Sequence, residues 1–526
     1  MSGSANTPNV RLPIEPQQTC ALAPVNGAVT ASTQEAADAG VRILRAGGNA
    51  VDGAIAAALA TCVADPSNTG LGGYGGYILV QRSGEPARCI QFPLCAPSNL
   101  SRETLARAYP ASGPACSSVP NVVGGLARAM REFGTLPWTS LAQPAIDLAH
   151  AGVLANAATQ RALELCRDLP FVTECFVVDE EPSSSRVRAR VTFRQPALAA
   201  TLETLADAGP EWFYEGPIGR AAQRASRDSG IDIPLDDWTR QGETVEMVDA
   251  PVLECGGLHI AAAPLGLSGS ACLFAMFAAA SRISQRMPLD DAEAMADLAS
   301  AMCSIWQYRF SMPDGNDFSS LTVGEWVNAA LDCDLAQPSS PDVSHTAHLN
   351  AVDGGGMMVA MTFTHGPAQF GGRWAVPGTG VIMNGGMHNF TRPAVVERHG
   401  RWLGVSNMTP TIAIGRDGSG LAIGCPGARR IPSSIAMVLA RHYCEGRDLQ
   451  QAVSAGRLHA EDRSRVSCES ARLGHIRTAA LRGRFPAVEN ETGENYFGPL
   501  TAIRYASSGL NLGTDDRMFE GFGARA

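Results

Sequence analysis

A chain of 526 residues, 45% hydrophobic and 17% charged, carries ample apolar material for a large packed core, which excludes a disordered protein. A net charge of −10 leaves no basic stripe for nucleic-acid phosphates, and because all 41 basic residues are arginine there is no lysine for Schiff-base chemistry. The fourteen cysteines are scattered, with no C-x-x-C and no close Cys/His cluster, so they read as buried free thiols rather than a zinc site or a disulfide scaffold.

Residues 1–25 read as a polar tail. The opening "MSGSANTPNVRLPIEP" has no apolar core of a signal peptide, and no run reaches about 18 apolar residues. The expectation is a cytoplasmic protein with no membrane partner. The stretch "NGAVTASTQEAADAGVRILRAGGNAVDGAIAAALATCVADPSN" then predicts two helices. Ser32 and Glu35 have capping-box spacing, Gly47-Gly48 stop the first helix, and Asp65-Pro66 end the second. Next, "GLGGYGGYILVQRSGEPARCIQF" is a glycine-dense loop running into two short strands. It is no phosphate loop, since neither the G-x-x-x-x-G-K-[ST] pattern nor a helix directly after it is present.

Residues 119–151 and 196–240 are mainly helical, the first with a turn at Gly134-Thr135-Leu136-Pro137. Residues 182–195, "PSSSRVRARVTFRQ", predict a loop and a polar strand at an edge or the surface. From Val252 to Ala280 a strand pair leads into a helix, and helix continues to about Cys333. Beyond the Pro/Ser-rich run 336–341 the pattern turns to strands, until a helix begins near Pro432.

The first of these strands carries the chemistry. Asp353-Gly354-Gly355-Gly356 is a strong turn signal, and a three-residue loop centred on Gly355 sets Thr346 opposite Thr364, with His348 and Thr362 on the same face. Opposed residues have Cβ atoms roughly 4.5–5.5 Å apart, close enough for one hydroxyl to orient the other. Paired threonines are also a common way to stabilise a sheet. The loop ahead of Thr346 favours the chemical reading: if the 345–346 bond is cut, a freed α-amino group of pKa about 7.7–8.0 sits beside the hydroxyl it must activate.

The segments "AADAGVRILRAGGNAVDGAIAAALA", "GLGGYGGYILV", "FGTLPWTSLAQPAIDLAHAG", "FYEGPIG", "TAHLNAVD", "FTHGPAQFG", "SNMTPTI", "GCPGARRI" and the closing "DDR" together resemble the γ-glutamyltransferase family of N-terminal-nucleophile (Ntn) hydrolases, from about residue 26 to 525. The resemblance implies an α+β fold, a four-layer αββα sandwich, made as one precursor. Its cut falls between His345 and Thr346, dividing a single domain into a large-subunit part, 26–345, and a small-subunit part, 346–526. Thr346 becomes the nucleophile, Thr364 the supporting threonine, and the backbone N–H groups of Gly427 and Ala428 the oxyanion hole. The family has glycine at the last position. Alanine keeps the N–H without glycine's freedom to take positive φ, so a re-shaped loop is expected.

Departures from the family gather around substrate recognition. Where it has an arginine that clamps the glutamyl α-carboxylate, this chain has Phe92-Pro93-Leu94, and no apolar residue replaces a bidentate guanidinium. The acidic residue that holds the α-amino group falls at Asn389, an asparagine at Gly366, a glutamine at Gly386, and a Ser-Ser pair at Ser406-Asn407. His365, Arg373, His388 and Arg429 are the polar candidates for meeting a different substrate, an acidic one included. The ordinary alternative is a solvated arginine or a structural histidine.

The expectation is therefore an autoprocessing N-terminal threonine hydrolase, free of metal and organic cofactor, cleaving an acyl bond of a small biosynthetic metabolite other than a γ-glutamyl compound. The bond is an amide or a C–C bond beside a carbonyl, as in family members of alkylproline antibiotic pathways. The alternatives are a γ-glutamyl transpeptidase or glutaryl-type amidase, and a catalytically inert relative.

Overall fold

The computed structural model describes residues 27–180, 190–312, 322–334, 345–391, 395–398, 400–490, 496–517 and 522–526. Strand β1 (Gly27–Thr30) leads into helices α1 (Gln34–Arg45) and α2 (Ala50–Ala64), followed by strands β2 (Gly75–Gln81) and β3 (Arg88–Phe92). Helices α3 (Val122–Phe133), α4 (Trp138–Ala151) and α5 (Pro196–Ala208) come next. Strands β4 (Glu246–Asp249), β5 (Val252–Cys255) and β6 (Leu258–Ala262) precede helices α6 (Ser270–Ser284), α7 (Ala292–Ser311) and α8 (Val323–Leu331). The last part holds β7 (His345–Asp353), β8 (Met358–Gly366), β9 (Thr411–Ile414), β10 (Gly420–Gly424), α9 (Arg430–Leu439), β11 (Thr501–Ala506), β12 (Gly509–Thr514) and β13 (Gly523–Arg525).

These strands form two antiparallel sheets. One has seven strands in the order β13-β1-β7-β8-β2-β3-β4, the other six in the order β12-β11-β10-β9-β6-β5. Each sheet mixes strands from before and after residue 345, so the two halves of the chain share both layers. Between the sheets lies an apolar layer that includes Tyr77, Leu79, Val352 and Ala360 on one side and Ile412, Ala422 and Ile503 on the other. Helices α1 to α5 cover the outer face of the first sheet and α6 to α9 that of the second. The result is the αββα sandwich, because each sheet is apolar on both faces and must be covered twice.

Helix α2 shows how composition sets this packing. All fifteen of its residues are buried, and a β-carbon on Gly40 of α1 would stand 2.8 Å from the carbonyl oxygen of Gly53. Small side chains let the two helices touch backbone to backbone. An Asn49/Asp52 capping box opens α2, and the Asp353 carboxylate in the β7–β8 turn accepts from Ala50 N at 2.9 Å, tying helix to hairpin.

Two local expectations are corrected. The cap of α1 is Thr33, not Ser32: its hydroxyl accepts from Ala36 N at 3.2 Å, satisfying a first-turn donor. Strand 191–194 is the middle strand of a three-stranded sheet, between Val153–Leu154 and Val177–Glu180, with Val191 and Phe193 buried. Alternating apolar residues, rather than the arginines around them, decide its place. Residues 181–189 of that segment, the tail 1–26 and the Pro/Ser-rich run lie outside the described residues.

Candidate active site

The β7–β8 hairpin has the register that a loop centred on Gly355 implies, with Thr346 opposite Thr364 and His348 opposite Thr362. Both threonines are buried, Thr346 at 3% exposure. The ladder shifts register between His345 and Thr346, so the peptide between them leaves the regular strand. There the Thr364 hydroxyl donates to the carbonyl oxygen of His345, and its oxygen accepts from Gly366 N at 2.9 Å. Thr364 thus contacts the peptide just ahead of Thr346.

One step further along the same face is a closed polar network. His348 Nε2 lies 3.0 Å from Asn350 Oδ1 and Nδ1 lies 2.8 Å from the Thr362 hydroxyl. The Asn350 amide N–H groups reach Thr30 Oγ1 at 3.1 Å and the Thr501 carbonyl at 3.0 Å. With its donors committed, Asn350 offers His348 only its oxygen, so the proton sits on Nε2 and Nδ1 accepts from Thr362. Burial pushes His348 down to about 4, leaving the ring neutral. Gly424 of the facing sheet makes room: a β-carbon there would lie 2.2 Å from the ring.

That contact also locates the turn after β10. Gly420 packs on Met358, near the loop end of the hairpin, and Gly424 on His348, so β10 advances toward Thr346 and residues 425–428 emerge at its level. Gly427 has φ 128° and Ala428 φ 54°. Ala428 takes the left-handed conformation that glycine adopts freely, at a cost in strain. Bonds from Arg430 N to Gly427 O (3.0 Å) and Ile431 N to Ala428 O (3.2 Å) hold the turn on the first residues of α9.

The other candidates divide. His365 is wholly buried against Gly70, where a β-carbon would come within 2.5 Å of Nε2, and burial holds its pKa near 3. Arg373 is half-buried with φ 53°, bonds Gln369 O at 3.4 Å, and lies near enough to His345 to help burial push that ring down to about 4. Arg429 turns elsewhere. It pairs with Glu461 at 2.6 Å and stacks over Phe310, and Glu461 in turn holds His459 at 3.0 Å. Asn389 and His388 are half-buried in the turn Gly386–Thr391, His388 edge-on to Tyr109. The Ser406 hydroxyl accepts from Met408 N at 3.3 Å, and Asn407 is half-buried beside it.

The structure links two of the substituted sites. Leu94 is 1% exposed and packs on Gly386 and Gly404, where β-carbons would lie 2.6 and 2.7 Å from its methyl groups. Leu94, next to the Pro93 that stands in place of the clamp, and a glycine in place of a glutamine are thus complementary halves of one apolar contact. Asn384 is a hub the sequence reading missed: its side chain bonds Ser118, Gly72 O and Gly386 N, fixing the glycine loop against this turn. The Asn-Gly-Gly signal marks a turn there but gives no sign of the buried partners. Among the described residues no group of three or more His, Cys, Asp or Glu side chains is placed to hold a metal, and no helix is long and apolar enough to cross a membrane.

The αββα sandwich, with a buried threonine at the start of a central strand, is the arrangement expected of an Ntn hydrolase. The family model for gamma-glutamyltranspeptidase matches residues 36–523, and the chain belongs to that family. It is 29% identical over 487 residues to the glutathione hydrolase proenzyme of Pseudomonas aeruginosa, covering 82% of each chain. It is 28% identical over 489 residues to the acylase ACY 1 proenzyme of Pseudomonas sp. strain V22, covering 84% of each. Among solved structures, cephalosporin acylase from Bacillus halodurans superposes with a TM-score of 0.78 at 22% identity, over 100% of this chain and 99% of that one. LmbA2991T421A superposes with 0.76 at 20% identity, over 96% and 99%. The protein is an enzyme of the hydrolase and acyltransferase type this family comprises.

Proposed function

We propose that the chain is a precursor that cuts itself between His345 and Thr346, and that the freed threonine cleaves an acyl bond of a small metabolite other than a γ-glutamyl compound. The observation that carries the first part is the Thr364 hydroxyl on the His345 carbonyl, beside the buried Thr346 hydroxyl. In the cut, Thr346 Oγ attacks the His345 carbonyl carbon, the C–N bond breaks, and the amide nitrogen takes the proton. One water hydrolyses the resulting ester, leaving a His345 carboxylate and a free Thr346 amine, in chains of 345 and 181 residues. In turnover that amine accepts the Thr346 hydroxyl proton, and the oxygen attacks the substrate carbonyl. Gly427 and Ala428 N–H groups receive the oxyanion, the leaving group takes the proton, and water releases the acyl group.

The second part rests on the recognition groups. Pro93, Gly366 and Gly386 supply no side-chain donor for a glutamyl carboxylate, and Leu94 fills the space a longer side chain at 386 would need. Arg373, close enough to His345 to help lower its ring pKa, is the cation this reading offers to an acidic acyl group. A small biosynthetic substrate cleaved at an amide or at a C–C bond beside a carbonyl fits this setting, with cytoplasmic action as part of the reading. The similarity to an acylase proenzyme supports amide cleavage as the second reading, with glutaryl-type amides as its candidate substrates. Intact mass of the purified protein tests the cut. Parallel assays on γ-glutamyl-p-nitroanilide, a glutaryl amide and an α-keto substrate test the chemistry: release from the first at a family-typical rate overturns the substrate reading.

A further inference from the structure

The scissile peptide sits where the β7–β8 ladder is broken, so regular strand pairing does not by itself fix the His345 carbonyl. A separate contact does. The loop between α2 and β2 brings Asn68 to the end of the hairpin, where it reaches both strands. Its side-chain Oδ1 lies 3.2 Å from His345 Nδ1, and its backbone carbonyl accepts from His365 N at 3.3 Å. One residue thus spans the strand that carries the bond to be cut and the strand that carries Thr364.

Asn68 is itself held. Its Nδ2 donates to Asp65 Oδ1 at 2.9 Å, and its backbone N–H to Asp65 O at 3.1 Å. Asp65 ends α2, a helix with every residue buried, and is 1% exposed. With the Asn68 amide donor spent on Asp65, its oxygen faces His345, whose Nδ1 must carry the proton. A neutral ring meets that need. The nearby Arg373 guanidinium and burial both disfavour a second proton on it.

We infer that Asp65 and Asn68 are positioning residues for self-cleavage, clamping the His345 side chain so that its carbonyl meets the Thr364 and Thr346 hydroxyls. The inference rests on the reading that the chain cuts itself. Attack on an unactivated amide depends on holding the reacting atoms in line, and loss of such placement slows a reaction without changing its chemistry. The ring leaves with the large subunit once the bond is cut, so the clamp serves maturation and not turnover.

The test is a time course of full-length chain made by cell-free translation and followed on denaturing gels. Asn68→Ala and Asp65→Ala are each expected to slow conversion at least tenfold. Asp65→Asn, which keeps an acceptor for Asn68, should convert within about threefold of wild type. His345→Ala leaves the loop intact and should slow conversion as Asn68→Ala does, the double variant being no slower than either single one. Activity per mole of exposed N-terminal threonine should be unchanged in Asn68→Ala. Conversion of Asn68→Ala or His345→Ala at the wild-type rate overturns the clamp, as does a double variant whose delays multiply. Failure of the wild type to split overturns the self-cleavage reading instead, so the two outcomes are distinct.

Discussion

The Thr364 hydroxyl donates to the carbonyl oxygen of His345, in the peptide just ahead of Thr346. On the self-cleavage reading it polarises the bond under attack. Removing one preorganised donor from a developing oxyanion costs about 2.7–4 kcal/mol, or ~10²–10³ in rate, in other hydrolases. Thr364→Val is expected to slow appearance of the two chains by up to that factor, while Thr346→Ala stays a single band with no acyl cleavage. A Thr364→Val chain that splits as fast as wild type removes this role.

The four-layer sandwich came from the family resemblance, whereas the hairpin register was legible because period-2 alternation and the Asp353 turn are local signals. The threonine pair followed from them. What stayed hidden depends on tertiary contact. Nothing around Asn68 or Asn384 in the sequence tells that each bonds chain segments far away, since a polar residue in a glycine-rich turn usually faces water. Arg429 misled for the opposite reason: its partner Glu461 is thirty-two residues on, in a strand of another sheet. The substitution at 428 was visible, but only the backbone shows that alanine adopts the conformation glycine would.

Ala428 at φ 54° invites a stability test. A non-glycine residue there costs roughly 1–2 kcal/mol, against about 0.5–1 kcal/mol for the extra freedom glycine has when unfolded. Ala428→Gly should thus raise the urea midpoint slightly and, because the N–H remains, leave kcat within about twofold. A drop in kcat of tenfold or more shows that the alanine methyl itself shapes the oxyanion turn.

Arg429 and Glu461 form a nearly buried pair; burial raises the glutamate, but the bond from His459 and, after it, the Arg429 charge hold it down to about 2. Removing one partner of such a pair strands the other charge and typically costs about 3–5 kcal/mol. Arg429→Met is expected to lower the urea midpoint strongly, with KM changed little for the enzyme that remains folded. An unchanged midpoint with a KM raised tenfold would make Arg429 a substrate residue after all.

Three buried groups give stability a defined dependence on pH. His348 and His365 have folded pKa values near 4 and 3 against 6.5 unfolded. Between those limits the unfolded chain binds the extra protons, so stability rises with pH up to about 6.5 and is lost as pH falls. Asp65 acts in the other direction. Burial raises it from 3.8 to about 7, against the bond from Asn68, so over that window the folded carboxyl keeps a proton that the unfolded one has released. Its contribution is fully present below 3.8 and lost as pH rises through about 7. At about 1.36 kcal/mol per unit, that loss is roughly 4 kcal/mol at full burial. Asp65→Asn should therefore gain on wild type steadily from pH 4 to pH 7 and hold a constant lead above. Urea midpoints at pH 4.5, 6 and 8 measure the gap, and a gap that does not widen shows that the Asp65 carboxyl is ionised in the folded protein.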